Sequence, residues 1–330
     1  MPAVATVFLD PSDAGTSTTL SLPSTPGADR YAWKRFTELS PSGLAFSISS
    51  ARLSRNRPSD AESSLYLFGG SSPAILNTDL RQNIPYALLN THAPFPFIQD
   101  FHGEFLRISL HPGTRRAEED IPDLSLHSFN NRTTSMMLVD RWKDGKPETT
   151  ISASDTFTLG WKAALSVILP VAQLLLGGGV AIMQIQDPVF TWVAHPTNTP
   201  NVPNNFIYLV LSQWFTFHAS GIGVNAWLMF YLRLSRDSAG KLEVNVVEMD
   251  HFVWPGTGQG QMNNALDGAK GGIMSALSGS STLILGSLAQ VHCDDVYLLP
   301  GKQPNTKATQ NGIVRQDAMS DVTIVLENQH

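Results

Sequence analysis

The chain has 330 residues, a formal net charge of −6 and a charged fraction of 15%, against about 25% in typical soluble proteins. The length is enough for about two domains, and the acidic balance without a Lys/Arg cluster excludes the basic surface expected of a nucleic-acid binder. The single cysteine, Cys293, cannot form an intrachain disulfide.

The first ten residues lack the basic segment and the long apolar run of a secretory signal. We therefore expect a soluble protein, either cytoplasmic or released by a non-classical route. Short strands follow, predicted at 5–9 and 16–22, and Pro, Gly, Ser and Asn recur every 8–15 residues through 1–142. This spacing is typical of a β-sandwich or barrel.

A six-residue run precedes the apolar strand predicted at 136–139, and it consists of Asn130, Asn131, Arg132, Thr133, Thr134 and Ser135. Calcium is a hard cation that takes six to eight oxygens, and amide, hydroxyl and backbone carbonyl oxygens can supply them. The alternative is an Asx-rich turn before a strand, because Asn bonds its own backbone and tolerates positive φ.

Residues around this run favour the calcium interpretation. With the corner Phe101-His102-Gly103, the strand predicted at 104–109 and Pro112-Gly113, residues 97–139 resemble one Greek key of the βγ-crystallin family, and the resemblance extends over about 3–142. It implies a Greek-key sandwich and a calcium site. The contributors that it implies are Asn130, Asn131, Arg132 (through its carbonyl) and Thr134.

In this family two loops lend ligands to each other, so a partner loop is expected. Residues 47–53 are similar to its last part, but Ala45 and Phe46 stand where the family has two Asn/Asp residues. A second near-match lies at 59–64, and the sequence leaves both open. The degenerate first loop predicts weak calcium binding.

The charged, turn-forming segment 143–150 is predicted to link the sandwich to a second domain at 151–330. The most apolar stretch follows at 163–185 and is long enough to span a bilayer. Because it contains Pro170 and three glycines at 177–179, we expect a buried helix, a glycine turn and a strand. A segment that inserts only on contact with a membrane remains an alternative.

Three long strands are predicted at 206–217, 225–234 and 242–253, with a hairpin turn at 236–240. Their tryptophans are expected in the core, although an interfacial aromatic belt for lipid or sugar is an alternative; they are Trp214, Trp227 and Trp254. Apolar residues at three- and four-residue steps predict a helix at 261–277. Closing strands are predicted at 295–301 and 322–326.

No nucleophile elbow, zinc-protease motif or P-loop is present. The glycines at 256–260 lack the spacing of a dinucleotide fingerprint and predict a turn. If the chain is an enzyme of a secondary-metabolite type, His218, His251 and His292 are the candidates for a site assembled in space.

We therefore expect a mainly β protein with some α, comprising a Greek-key sandwich and an α+β unit with a long antiparallel sheet. The function expected is non-enzymatic: a binding or membrane-active protein, toxin-like or defensive, modulated by calcium. Its partners would be membrane lipid or an apolar ligand, not nucleic acid, with oligomers forming on the membrane. A carrier of lipid or small apolar molecules, similar in outline to tubular lipid-binding domains, is the first alternative.

Overall fold

The computed structural model describes residues 3–21, 32–38, 43–55, 61–69, 105–110, 118–133, 135–142, 148–184, 187–194, 207–300, 313–316 and 322–327. Over these residues the chain is mainly β, with four antiparallel sheets and three α-helices. The predicted fold class is confirmed.

Two sheets form the N-terminal β-sandwich. The first has the order β2-β1-β4-β7, with β1 Val4–Asp10, β2 Ala14–Ser21, β4 Ser50–Ser54 and β7 Glu118–Ile121. The second has the order β16-β6-β5-β8-β3, with β3 Ala32–Glu38, β5 Ala61–Phe68, β6 Phe105–Leu110, β8 Ser135–Trp142 and β16 Ile313–Gln316. Residues 4–54 and 61–142 each contribute strands to both sheets, since β3 pairs with β8 and β7 pairs with β4.

Strand β8 separates two apolar cores. Met136 and Leu138 point into the sandwich core, whereas Met137 and Val139 join the core of the C-terminal unit. Successive side chains on a strand point to opposite faces, so a strand buried on both faces reads as an unbroken apolar run. This explains the run at 136–139.

Strand β5 precedes the segment 97–139 and pairs with its strands β6 and β8. The segments 101–103 and 112–113 lie outside the described residues. Of the near-match at 59–64, residues 61–64 lie within β5, where the hydroxyls of Ser64 and Ser109 on β6 are hydrogen-bonded at 2.8 Å.

The C-terminal unit is a long sheet with helices on one face. The sheet contains β10 Ala181–Gln184, β11 Val189–Ala194, β12 Ile207–Ala219, β13 Ile222–Arg236 and β14 Leu242–Val253. The helices are α1 Ala153–Leu175, α2 Gln259–Gly279 and α3 Ser281–Leu285. The predicted helix at 261–277 is therefore confirmed within α2, and the turn between β13 and β14 lies where it was predicted.

A small sheet of order β15-β17-β9 closes the unit, with β9 Glu148–Ser152, β15 Asp295–Pro300 and β17 Val322–Glu327. Residues 148–150 of the predicted linker thus belong to β9, and 143–147 lie outside the described residues. Strand β16, from the C-terminal part of the chain, pairs with β6 of the sandwich.

Helix α1 begins where the Ser152 hydroxyl accepts a hydrogen bond from the backbone N–H of Asp155 at 3.2 Å, the arrangement expected of an N-cap. One side of the helix is buried against α2, α3 and the sheet, through Phe157, Trp161, Ala164, Leu165, Ile168 and Ala172. The expectation that 163–185 is buried is wrong for the other side of the helix, where Val167, Val171 and Leu174 are exposed.

Candidate functional site

Two loops of the sandwich lie against each other in a reciprocal arrangement. The N–H of Phe46 donates to the carbonyl of Thr133 at 2.8 Å, and the N–H of Asn131 donates to the carbonyl of Ile48 at 2.9 Å. Phe46 and Asn131 both have positive φ, 59° and 55°. The hydroxyl of Ser49 donates to Asn131 Oδ1 at 3.4 Å. The loop around 45–50 is therefore in direct contact with the run at 130–135.

The oxygens at these loops are uncharged. Asn130 and Asn131 are exposed and offer amide oxygens, whereas Ala45 and Phe46 offer none from their side chains. The Arg132 guanidinium donates to the carbonyl of Ser128 at 3.1 Å and lies 5.7 Å from the ring centre of Phe129. Since ligand charge sets calcium affinity, this set suits one weak site at most.

Two other observations concern whether these loops, or another part of the described chain, could bind a metal ion. The Thr133 hydroxyl oxygen is buried and has no hydrogen-bond partner in the described part of the chain, and Thr134 lies outside that part. Among the described residues no group of three or more His, Cys, Asp or Glu side chains could hold a metal ion. A transition-metal centre therefore finds no support in this part of the chain.

The outer side of α1 carries an exposed apolar stripe, which we define as Val167, Val171, Leu174 and Leu175. Val167, Val171 and Leu174 follow one another at steps of four and three residues and so share a side of the helix. Leu175 adjoins Leu174 and lies against Gly272 of α2. Leu174 is 75% exposed. Leu159, which is 76% exposed, lies on the same side two turns before the stripe, near the ion pair of Lys162 with Asp187 at 2.7 Å.

By length and composition α1 could cross a membrane, and α2 passes the same test only when joined to residues 281–290 across a 58° bend. A core helix of a soluble protein passes it too. What distinguishes α1 is its two-sided apolar character, since one side is in the core and the other is exposed.

Beneath α1 lies a narrow apolar cavity of about 20 Å³. Side chains from α1, α2 and the sheet line it, among them Leu169, Leu176, Ile182, Phe217 and Ile273. Its volume is close to that of a single water-sized void, so a lipid chain could enter only if α1 moved away from the sheet. Nearby, the indole N–H of Trp161 bonds the amide oxygen of Gln213.

The opposite face of the long sheet carries an aromatic cluster. Trp214 stacks on Trp254 with ring centres 5.4 Å apart and lies 6.0 Å from Trp227. Trp227 is buried, at 2% exposure, whereas Trp214 and Trp254 are partly exposed. The predicted core position is thus confirmed for Trp227 alone. The indole N–H groups of Trp214 and Trp227 are buried and have no acceptor among the residues that the structure describes.

The three histidines are not brought together. His218 lies opposite Gly223 and His251 opposite Leu228, so they are about 17 Å apart along the sheet. His292 bridges Lys241 at the far end of the β13–β14 hairpin. The glycines before α2 form the predicted turn, with Gly258 as the N-cap at positive φ. These positions do not assemble a catalytic constellation.

No family model matches the chain, and no curated protein matches it. Among solved structures, one described as the crystal structure of lipopolysaccharide binding protein is similar at 11% identity with a TM-score of 0.14. The match covers 56% of this chain and 49% of that chain, so it spans about half the length of the other protein. A likeness at this level carries no argument about function.

The signal that sequence reasoning missed is the distribution of charge. Residues 163–186, 188–232 and 252–266 contain no Asp, Glu, Lys or Arg. These segments include the stripe, β10, β12, most of β13 and the aromatic cluster. The low charged fraction of the whole chain therefore reflects a scarcity of charged residues in the C-terminal unit.

Proposed function

We propose that the protein is a non-enzymatic binder of lipid bilayers, and that the apolar stripe of α1 contacts the membrane. The observation that carries this proposal is the exposure of Val167, Val171, Leu174 and Leu175 on a helix whose other side is already buried in a core. Contiguous exposed apolar residues mark surfaces that bind proteins or membranes.

The chemistry of the stripe favours a bilayer. It is aliphatic, and no charged residue lies between Lys162 and Asp187 to fix a partner or its orientation. Because the whole chain carries a net charge of −6, electrostatic attraction to anionic lipid is not expected. Binding should rest on apolar burial and should therefore persist on zwitterionic vesicles and at high salt.

The test is flotation with phosphatidylcholine vesicles. The triple variant Val167→Gln/Val171→Gln/Leu174→Gln should remain in the dense fraction while the wild type floats. Leu126→Gln is the matched control, because Leu126 is equally exposed, at 76%, but lies in the sandwich. A wild type that does not float, or a triple variant that floats like the control, contradicts the proposal.

A toxin-like or defensive role requires membrane permeation in addition to binding. In that role dye would leave vesicles at protein concentrations that saturate binding, and crosslinking would trap oligomers on the lipid. Vesicle binding without dye release would leave the binding function in place and remove the toxin-like one.

We also propose that the sandwich is βγ-crystallin-like and binds calcium weakly at the paired loops. The reciprocal bonds between the loops support this proposal, as does the oxygen set of Asn130, Asn131 and Ser49. Because a ligand that binds only the native state raises stability, millimolar calcium should raise the melting temperature of the wild type but not of Asn130→Ala/Asn131→Ala. An unchanged wild-type melting temperature would contradict the proposal that the paired loops bind calcium.

A second candidate function is that of a carrier of apolar ligands, and the cavity beneath α1 favours it. Its lining is entirely apolar, with Leu169, Leu176 and Ile182 near the end of the helix. Native mass spectrometry of the purified protein, followed by lipid extraction, tests this candidate. A stoichiometric apolar ligand would support it, and a clean apo mass after incubation with fatty acid would count against it.

A further inference from the structure

One end of the C-terminal unit gathers exposed apolar side chains from several elements. Strand β10 begins six residues after α1 ends, and its Ala181 lies opposite His218 near the end of β12. The last turns of α1 and the β12–β13 hairpin are therefore neighbours. We call this end the tip; its exposed apolar residues are Leu174, Met183 and Ile222, whereas Leu175 lies against Gly272 of α2.

The opposite face of the sheet continues this surface in one row of side chains. Met183 lies opposite Thr216, Thr216 lies opposite Asn225, and the N–H of Trp254 donates to the carbonyl of Asn225 at 2.9 Å. The Thr216 hydroxyl donates to Asn225 Oδ1 at 2.6 Å, so the two polar side chains of the row satisfy each other. The row therefore presents a thioether at one end and a partly exposed indole at the other.

Tryptophan is enriched at membrane interfaces, where an apolar ring meets hydrogen-bond acceptors. Trp254 stacks on Trp214, and among the described residues the buried N–H groups of Trp214 and Trp227 find no acceptor. Buried indole N–H groups normally find a partner. Those two donors are closed to lipid, whereas the partly exposed ring of Trp254 is the part of the cluster that headgroup phosphate and ester oxygens can reach.

The backbone N–H groups of the glycine turn at the tip are hydrogen-bonded within the protein. In the glycine turn, the N–H groups of Gly177, Gly178 and Gly179 donate to the carbonyls of Leu174, Gln173 and Gly177 at 2.8–3.1 Å. A segment entering lipid must satisfy its backbone internally. Lys162, which forms an ion pair with Asp187, precedes Leu174 by 12 residues, or about 18 Å along the helix.

We infer that the tip is the part of the protein that enters the bilayer, so that α1 meets the membrane with its C-terminal end instead of lying along the surface. This inference rests on the proposed function and specifies its geometry. The occupant is the interfacial zone of a phospholipid bilayer. Apolar residues on both faces of the sheet would enter it together, with Trp254 at the level of the headgroups and the Lys162–Asp187 pair in water.

Leu159 and Leu174 offer a matched pair of substitutions. They are equally exposed leucines on the same helix, at 76% and 75%, and they are separated by 15 residues, or about 22 Å. Leu174→Gln should weaken partitioning onto phosphatidylcholine vesicles roughly tenfold, as expected for loss of one buried leucine, whereas Leu159→Gln should leave it unchanged. Circular dichroism and urea unfolding would establish that both variants fold.

The outcomes separate the inference from the function beneath it. Equal weakening by both substitutions means that α1 lies along the membrane, which overturns the inference but not bilayer binding. A wild type that does not partition overturns the proposed function itself. No effect of Leu174→Gln also overturns the inference.

Fluorescence quenching by brominated phosphatidylcholine gives a second readout that does not depend on Leu174. Part of the wild-type emission should be quenched by bromines placed near the headgroup, and Trp254→Phe should lose that quenched part. Buried Trp161, at 0% exposure, should contribute none of it. Identical quenching of wild type and Trp254→Phe would contradict the tip-first geometry.

Discussion

The substitution Gly160→Ala tests how α1 is held against the protein. A Cβ at this position would lie 2.5 Å from the carbonyl oxygen of Leu283 and would also strike the carbonyl of Ile284. Both are backbone atoms of α3, so no side-chain rotation can relieve the contact and the two helices must separate. Overpacking of this kind costs about 1–3 kcal/mol, whereas Ala in place of Gly inside a helix returns about 0.5–1 kcal/mol.

The expected net loss for Gly160→Ala is therefore about 1–2 kcal/mol in the free energy of unfolding, measured by urea denaturation. Gly268→Ala in α2 is the matched control, because a Cβ there meets nothing within 4 Å. It should be neutral or slightly stabilising. If Gly160→Ala proved as stable as Gly268→Ala, the close packing of α1 on α3 would be refuted.

Two further substitutions address the interior. Gln213→Leu leaves the buried N–H of Trp161 unpaired and should lower the free energy of unfolding by about 1–3 kcal/mol. Adding Trp161→Phe should recover most of that loss in a double-mutant cycle measured by urea denaturation. Equal losses in the single and double variants would contradict this pairing. Burial raises the pKa of Asp140 above its ordinary value, so this carboxyl favours the folded state while protonated, and its contribution falls as pH rises above about 4. Asp140→Asn should therefore gain stability relative to wild type between acid and neutral pH, and a constant difference across that range would contradict the assignment.

Much of the fold follows from local sequence. The hairpin turn after β13 is predictable because Asp237 accepts hydrogen bonds from the N–H groups of Ala239 and Lys241, and Gly240 takes the positive φ. The apolar run in β8 likewise indicates a strand that is buried on both faces. A turn or a buried strand of this kind can be predicted from its own residues, without knowledge of the rest of the chain.

Distant pairing is not readable in the same way. The partner loop of the run at 130–135 becomes clear only from the bonds of Phe46 and Asn131, and the addition of β16 to β6 joins segments about two hundred residues apart in sequence. The exposure of the apolar stripe was missed for a related reason. Apolar periodicity shows that a helix side avoids water, but it does not show whether this chain provides the cover.

The most direct test of the account is the partitioning of the wild-type protein onto phosphatidylcholine vesicles, compared with Val167→Gln/Val171→Gln/Leu174→Gln over a lipid titration. If the apolar stripe of α1 contacts the bilayer, the wild type will bind saturably and independently of salt, and the triple variant will not bind. Wild-type protein that stays free at every lipid concentration, or a triple variant that binds equally well, would contradict it.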